Sequence, residues 1–181
     1  ITQALPAAVV FAEMDEKIRP LVADLHGLSL NATAWMKNKD GVDSIYLKDV
    51  WSLVDNQALV LRQLLVAHPE VINFVIIGGS PCQDLTIMNK LKGLLGVTGD
   101  RSQHFHIFPA IIQHLQVMRP AVRVFLTLEN AGSMQQRQLA YMRNILQLEA
   151  ANAKKIDSGT WGEVRRNRWF LGNTNKFVAP V

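Results

Sequence analysis

The chain has 181 residues, of which 49% are hydrophobic and 19% charged, with a net charge of +4. That length accommodates one domain with a sizeable core, and no apolar stretch reaches the roughly 18–20 residues that span a bilayer. The only cysteine, Cys82, excludes an internal disulfide scaffold and a cysteine-rich zinc site, and suits a reducing, intracellular compartment.

In chain order, residues 7–12 read as a short strand ending at Glu13, and Ile18, Leu21, Val22 and Leu25 predict a helix over 15–26, with Pro20 early enough to be tolerated. Residues 28–43 are polar and irregular, with a turn at Asn38, Asp40 and Gly41, and 45–47 form a small strand leading to Asp49. A helix over 56–67 precedes a buried strand over 72–77. The stretch 78–103, with five glycines and a proline, reads as one long functional loop. A helix over 105–118, a strand over 122–128, a helix over 134–150 with Ser133 as N-cap, and strands near 154–158 and 168–172 follow. This alternation predicts an α/β fold with a mostly parallel sheet covered by helices.

Charge is split along the chain. Residues 1–90 carry seven Lys/Arg against ten Asp/Glu, and residues 91–181 carry twelve against five. The basic half suits a phosphate backbone and equally a solvated surface.

Polar residues collect at the ends of the predicted strands: Glu13, Asp49, Cys82 and Glu129-Asn130. In an open parallel sheet such ends share one edge, where ligands bind. Two acids at successive strand ends fit the hydroxyls and amino group of a nucleoside, although either alone fits an ordinary turn. Cys82 follows Gly78-Gly79-Ser80-Pro81 directly after an apolar run, the setting of a nucleophile rather than of a buried core thiol. His104 and His106 have no further histidine or cysteine nearby, so no metal site is expected.

These residues also resemble the motifs of a known family. Gly78-Gly79-Ser80-Pro81-Cys82-Gln83-Asp84-Leu85-Thr86 resembles the catalytic motif of the cytosine-C5 DNA methyltransferases, most closely the de novo-type branch of animals and its phage and bacterial relatives. Phe11-Ala12-Glu13-Met14-Asp15 resembles the family's ribose-binding motif and Lys48-Asp49-Val50 its adenine-contacting motif. Gly93 through Ser102, Leu128-Glu129-Asn130, and Arg166-Asn167-Arg168 with the strand after it resemble later blocks, in family order.

The resemblance implies a Rossmann-like class I methyltransferase fold, incomplete in residues 1–181, with a cofactor-side half over about 1–90 and a cytosine- and DNA-side half over about 91–181. It implies S-adenosylmethionine as cofactor, held by Glu13, Met14, Asp49, Val50 and Pro81. Double-stranded DNA is the implied partner, contacted by Ser80, Gln83, Asn130, Arg165 and Arg166, with Asn130 also holding the catalytic loop. Cys82, Glu129 and Arg168 are the implied catalytic set: nucleophile, acid at the cytosine ring, and contact to its carbonyl. No membrane association is expected, and the location expected is the cytoplasm, or the nucleus of a eukaryote.

Two departures stand inside the matched blocks. Ala131 occupies a position where the family commonly has valine, and Val164 one where it often has glutamine. The family's glycine-rich methionine-binding motif, target-recognition segment and final motifs are not found in the sequence. The expectation is therefore a segment of a longer polypeptide that, alone, folds poorly and transfers little methyl. Other readings are a tRNA cytosine methyltransferase on the same scaffold, disfavoured by Asp84-Leu85-Thr86, and a catalytically weak partner, disfavoured by the presence of Cys82. A thiol hydrolase lacks a histidine base at a strand end.

Overall fold

The computed structural model describes residues 6–12, 16–28, 35–80, 103–157, 159 and 166–173. They belong to two compact units, Ile1–Val71 with His114–Pro120, and Ile72–Gln113 with Ala121–Val181.

The first unit holds β1 (Ala8–Ala12), α1 (Arg19–His26), β2 (Met36–Lys37), β3 (Asp43–Leu47) and α2 (Asp55–Ala67). Its sheet has the order β1-β3-β2, with β1 parallel and β2 antiparallel to β3. Helix α1 begins at Arg19 rather than 15, because Pro20 is favourable only in the first turn, and it ends at Gly27, whose φ of 64° closes the helix in the left-handed region. Ala23, Leu28 and Tyr46 pack together with Phe11, Val22 and Met36 around them. The right-handed part of α2 starts only after Asn56, Gln57 and Ala58, all at positive φ. Its other end is held by Arg119, whose guanidinium donates to the carbonyls of Leu65 at 2.8 Å and Val71 at 2.5 Å. A cation on the last carbonyls of a helix satisfies acceptors that have no partner within it.

The second unit holds β4 (Asn73–Gly79), α3 (Ile107–Met118, its last turn and a half falling in the first unit), β5 (Arg123–Ala131), α4 (Gln136–Ile145), β6 (Ala153–Asp157) and β7 (Asn167–Gly172). The strand order is β4-β5-β7-β6, with β4 parallel to β5 and the two pairs involving β7 antiparallel. The fold is α/β, but the sheet is not mostly parallel. Three of the five described pairings are antiparallel, because β6 and β7 pair as an antiparallel ribbon and β2 turns back onto β3.

Three local expectations are corrected. Gly78 and Gly79 are strand residues paired with Leu128 and Glu129, not the start of a loop. They are glycines because a Cβ on Gly78 would lie 2.8 Å from the Phe108 ring, and one on Gly79 3.2 Å from the Glu129 carboxylate. Strand β4 is not buried: Val75 and Ile77 are 69% and 79% exposed, since alternate residues face away from the packed side and β4 is an edge of the described sheet. Helix α4 is capped by Gln135 rather than Ser133, because buried Met134 is drawn into a bridge and delays the first turn. It stops at Ile145, ahead of Gln147 at a φ of 54°.

The packed side of this sheet carries buried Leu126, Leu128 and Leu171, and the buried Phe108 ring lies against Gly78 on the same side. At its end the ladder is closed by Asn173, whose side chain accepts from the Leu126 amide at 2.7 Å and donates to the Val124 carbonyl at 2.6 Å. The amide thus substitutes for a further strand residue. Beside it, a Cβ on Gly172 would overlap the Leu126 carbonyl oxygen. Gly172→Ala therefore forces β5 and β7 apart and is expected to destabilise the fold by about 3 kcal/mol, the upper end for overpacking. A urea melt monitored by circular dichroism measures it.

Candidate active site

Six of the residues that the sequence singles out, Glu13, Met14, Pro81, Cys82, Gln83 and Arg165, lie outside the described residues. The others fall in two places, one in each unit.

In the first unit, Ala12 is in register with Leu47, so the carboxyl ends of β1 and β3 lie at one sheet edge. Glu13 follows β1 directly in sequence, and Asp49 stands two residues past β3. Asp49 has a structural task there: its Oδ1 accepts from the Trp51 amide at 2.9 Å and caps the short 3-10 helix Val50–Leu53. Such capping is what an aspartate before a helical turn does, and it also fixes the direction of the carboxylate. Val50 is half-buried beside it.

In the second unit, the parallel pairing of β4 with β5 sets Gly79 opposite Glu129. The chain therefore leaves β4 toward Cys82 from a point level with the Glu129 carboxylate. Asn130 fixes that exit. It is 1% exposed, and its Nδ2 donates to the Ser80 carbonyl at 3.2 Å and to the Ser80 hydroxyl at 2.9 Å. Its Oδ1 accepts from the Ala131 amide at 2.8 Å, so both halves of the buried amide are satisfied. Ser80 stands two residues before Cys82 in sequence. Replacing the donor with an acceptor, as in Asn130→Asp, turns an oxygen toward two Ser80 oxygens. It is expected to cost about 2–3 kcal/mol, measured by denaturant unfolding at neutral pH. Asn130→Ser, smaller but still a donor, is expected to cost less.

Glu129 and Asn130 are neighbours on β5 and face opposite sides of the sheet, as alternate residues must. Across the antiparallel ladder, Glu129 is opposite Phe170 and Ala131 is opposite Arg168. Residues paired in this way share a face, so Glu129, Phe170 and Arg168 stand together. The Arg168 guanidinium Nε forms an ion pair with Glu129 Oε1. Burial raises the Glu129 pKa above its ordinary value of 4.5, and the Arg166 charge pulls it the other way without cancelling the rise. The carboxyl is thus held by cations on one side and pushed toward its acid form by desolvation, a combination suited to a group that both accepts and delivers a proton.

The sequence singles out Glu129, Asn130, Arg168 and Gly79, but places Gly79 in a loop rather than in a strand opposite Glu129. Gly79 resembles any strand-end glycine until the register sets it against Glu129. Among the described residues, no group of three or more His, Cys, Asp or Glu could hold a metal ion, and no helix is long and apolar enough to cross a membrane. Compared with known proteins, the chain matches no family model and no curated sequence.

Proposed function

We propose that this chain is the catalytic portion of a DNA cytosine-C5 methyltransferase with a Rossmann-like class I fold, acting through Cys82. The observation that carries the reading is the anchoring of Ser80 by buried Asn130, level with Glu129 across the β4–β5 ladder. It ties the segment entering Cys82 to a strand presenting an acid and, one strand further, an arginine.

The chemistry follows from the ring. Cytosine C5 is a poor nucleophile, and a thiolate adding to C6 makes it electron-rich. Cys82 supplies that thiolate, forming an Sγ–C6 bond while the displaced electron pair is delocalised toward N3 and the carbonyl. Glu129, in its acid form, delivers a proton at N3 and accepts from the exocyclic amine. Arg168 meets the carbonyl oxygen and keeps the Glu129 side chain oriented between turnovers. S-adenosylmethionine supplies an electrophilic methyl group when bound. Loss of the C5 proton to solvent water then re-forms the ring double bond and expels the thiolate, and N3 returns its proton to Glu129.

The residues at the first sheet edge fit that cofactor. The two strands whose ends precede Glu13 and Asp49 are parallel neighbours in register, and a carboxylate at each end suits ribose hydroxyls and an adenine amine. Met14 and Val50 supply apolar contacts to the same group. Because C6 and C5 are covered in a stacked duplex, the base is taken out of the helix. Gln83 and the Arg165-Arg166 pair hold the opened backbone.

The test is transfer of a labelled methyl group by the full polypeptide carrying these residues, with duplex DNA and tRNA offered separately. Labelled 5-methylcytosine in the DNA is the expected result. Labelling of tRNA alone, or of neither, contradicts the reading.

A further inference from the structure

We propose that Lys154 is a nucleic-acid contact residue, gripping a phosphate of the strand that carries the target base; this rests on the function proposed above. Nothing in the sequence distinguishes Lys154 from Lys155, and both are exposed. The register separates them. Lys154 is opposite Phe170 and Lys155 opposite Trp169 in the β6–β7 ladder. Phe170 is in turn opposite Glu129 in the β5–β7 ladder. Directly paired residues of neighbouring strands share a face, so Glu129, Phe170 and Lys154 form one row across three strands. Lys155 belongs to the other face.

With strands about 4.8 Å apart, the Lys154 backbone lies about 10 Å from that of Glu129. A lysine side chain reaches over much of that interval. The same face carries Arg168, two pairs along the ladder opposite Ile156, and the Arg166 charge also acts on Glu129. Two arginines therefore act on one acid, more positive charge than Glu129 neutralises, and Lys154 adds a third cation to the same face. A cytosine whose N3 and amine meet Glu129 carries its sugar on N1, across the ring from that edge. Its phosphates therefore lie well away from the carboxylate, and an exposed ammonium two strands along the same row suits one of them. Lysine binds phosphate as a flexible point charge, consistent with backbone holding rather than base reading.

The test compares Lys154→Ala with Lys155→Ala in the full polypeptide, using fluorescence anisotropy of a labelled duplex containing cytosine, titrated at several salt concentrations. Both substitutions remove one positive charge from adjacent residues, so a general loss of charge affects them equally. Lys154→Ala is expected to weaken binding about fivefold and to reduce the salt dependence by about one counterion, with Lys154→Arg close to wild type. Lys155→Ala is expected to leave both quantities nearly unchanged. Equal effects of the two alanine variants, or none from Lys154→Ala, overturn this inference while leaving the proposed function standing. Absence of duplex binding by the wild type overturns both.

Discussion

Cys82→Ser is expected to lower methyl transfer by about 10⁴-fold or more, the scale at which loss of a catalytic nucleophile acts. Serine is close in size to cysteine, so the substitution changes little in volume. What it loses is acidity and polarisability: a hydroxyl is almost wholly protonated at neutral pH, whereas a thiol with an ordinary pKa near 8.5 already gives a few per cent thiolate. Anchoring by Asn130 lies in the residues before the thiol and is unaffected by the substitution. DNA binding by Cys82→Ser is therefore expected to stay within a few-fold of wild type while turnover disappears. Single-turnover methylation and anisotropy, run on the same preparation, separate the two. Retention of more than a tenth of wild-type turnover argues against covalent catalysis through this residue.

The second large effect belongs to Glu129. Glu129→Gln keeps the size and an amide donor but cannot release a proton, and is expected to reduce methyl transfer about 10²- to 10⁴-fold, the usual range for general acid catalysis. Its pH dependence has a defined sign. Burial raises the Glu129 pKa, so the acid form persists above 4.5 and is lost as pH rises through the raised value. Wild-type rates should show a descending limb there, and Glu129→Gln should lack that limb. Stability follows the same linkage. Between 4.5 and the raised value the folded chain holds a proton that the unfolded chain has released, so a contribution present at lower pH fades as pH increases. Denaturant midpoints of wild type and Glu129→Gln, compared across that interval, should drift in opposite relative order: wild type loses ground as pH rises. A wild type that gains ground contradicts the burial-dominated environment of this carboxyl.

Much of the secondary structure was legible because apolar periodicity reports it directly. The strands near 8–12, 43–47, 123–131 and 167–172 and the helix before β4 are all where their patterns place them, to within a few residues. What periodicity does not carry is pairing. Strand β7 could not be known from its own sequence to lie between β5 and β6, and that insertion makes the ladder predominantly antiparallel. Gly78 and Gly79 read as loop because glycine weakens a strand, whereas a Cβ at Gly78 would run into the Phe108 ring and one at Gly79 would be tight against the Glu129 carboxylate. Ser133 had the chemistry of a cap, but Met134 is buried and the helix waits for Gln135.

The site was legible to the extent that it is a set of residue types at strand ends. Glu129, Asn130 and Arg168 could be named from sequence, but their division between the two faces of the sheet could not. The register assigns Asn130 to the packed side, where it holds Ser80, and Glu129 to the side shared with Arg168 and Lys154. Asn173 shows the same limit: a polar residue after a strand gave no hint that its amide would complete the ladder of β5.

The central claim, covalent attack by Cys82 on cytosine C6, is tested most directly with duplex DNA containing 5-fluorocytosine, the full polypeptide and S-adenosylmethionine. Fluorine at C5 cannot leave as a proton, so elimination is blocked and the Sγ–C6 bond should persist through denaturing electrophoresis, with the adduct mass on the peptide containing Cys82. No adduct with the wild type, or an adduct that persists in Cys82→Ser, contradicts the account.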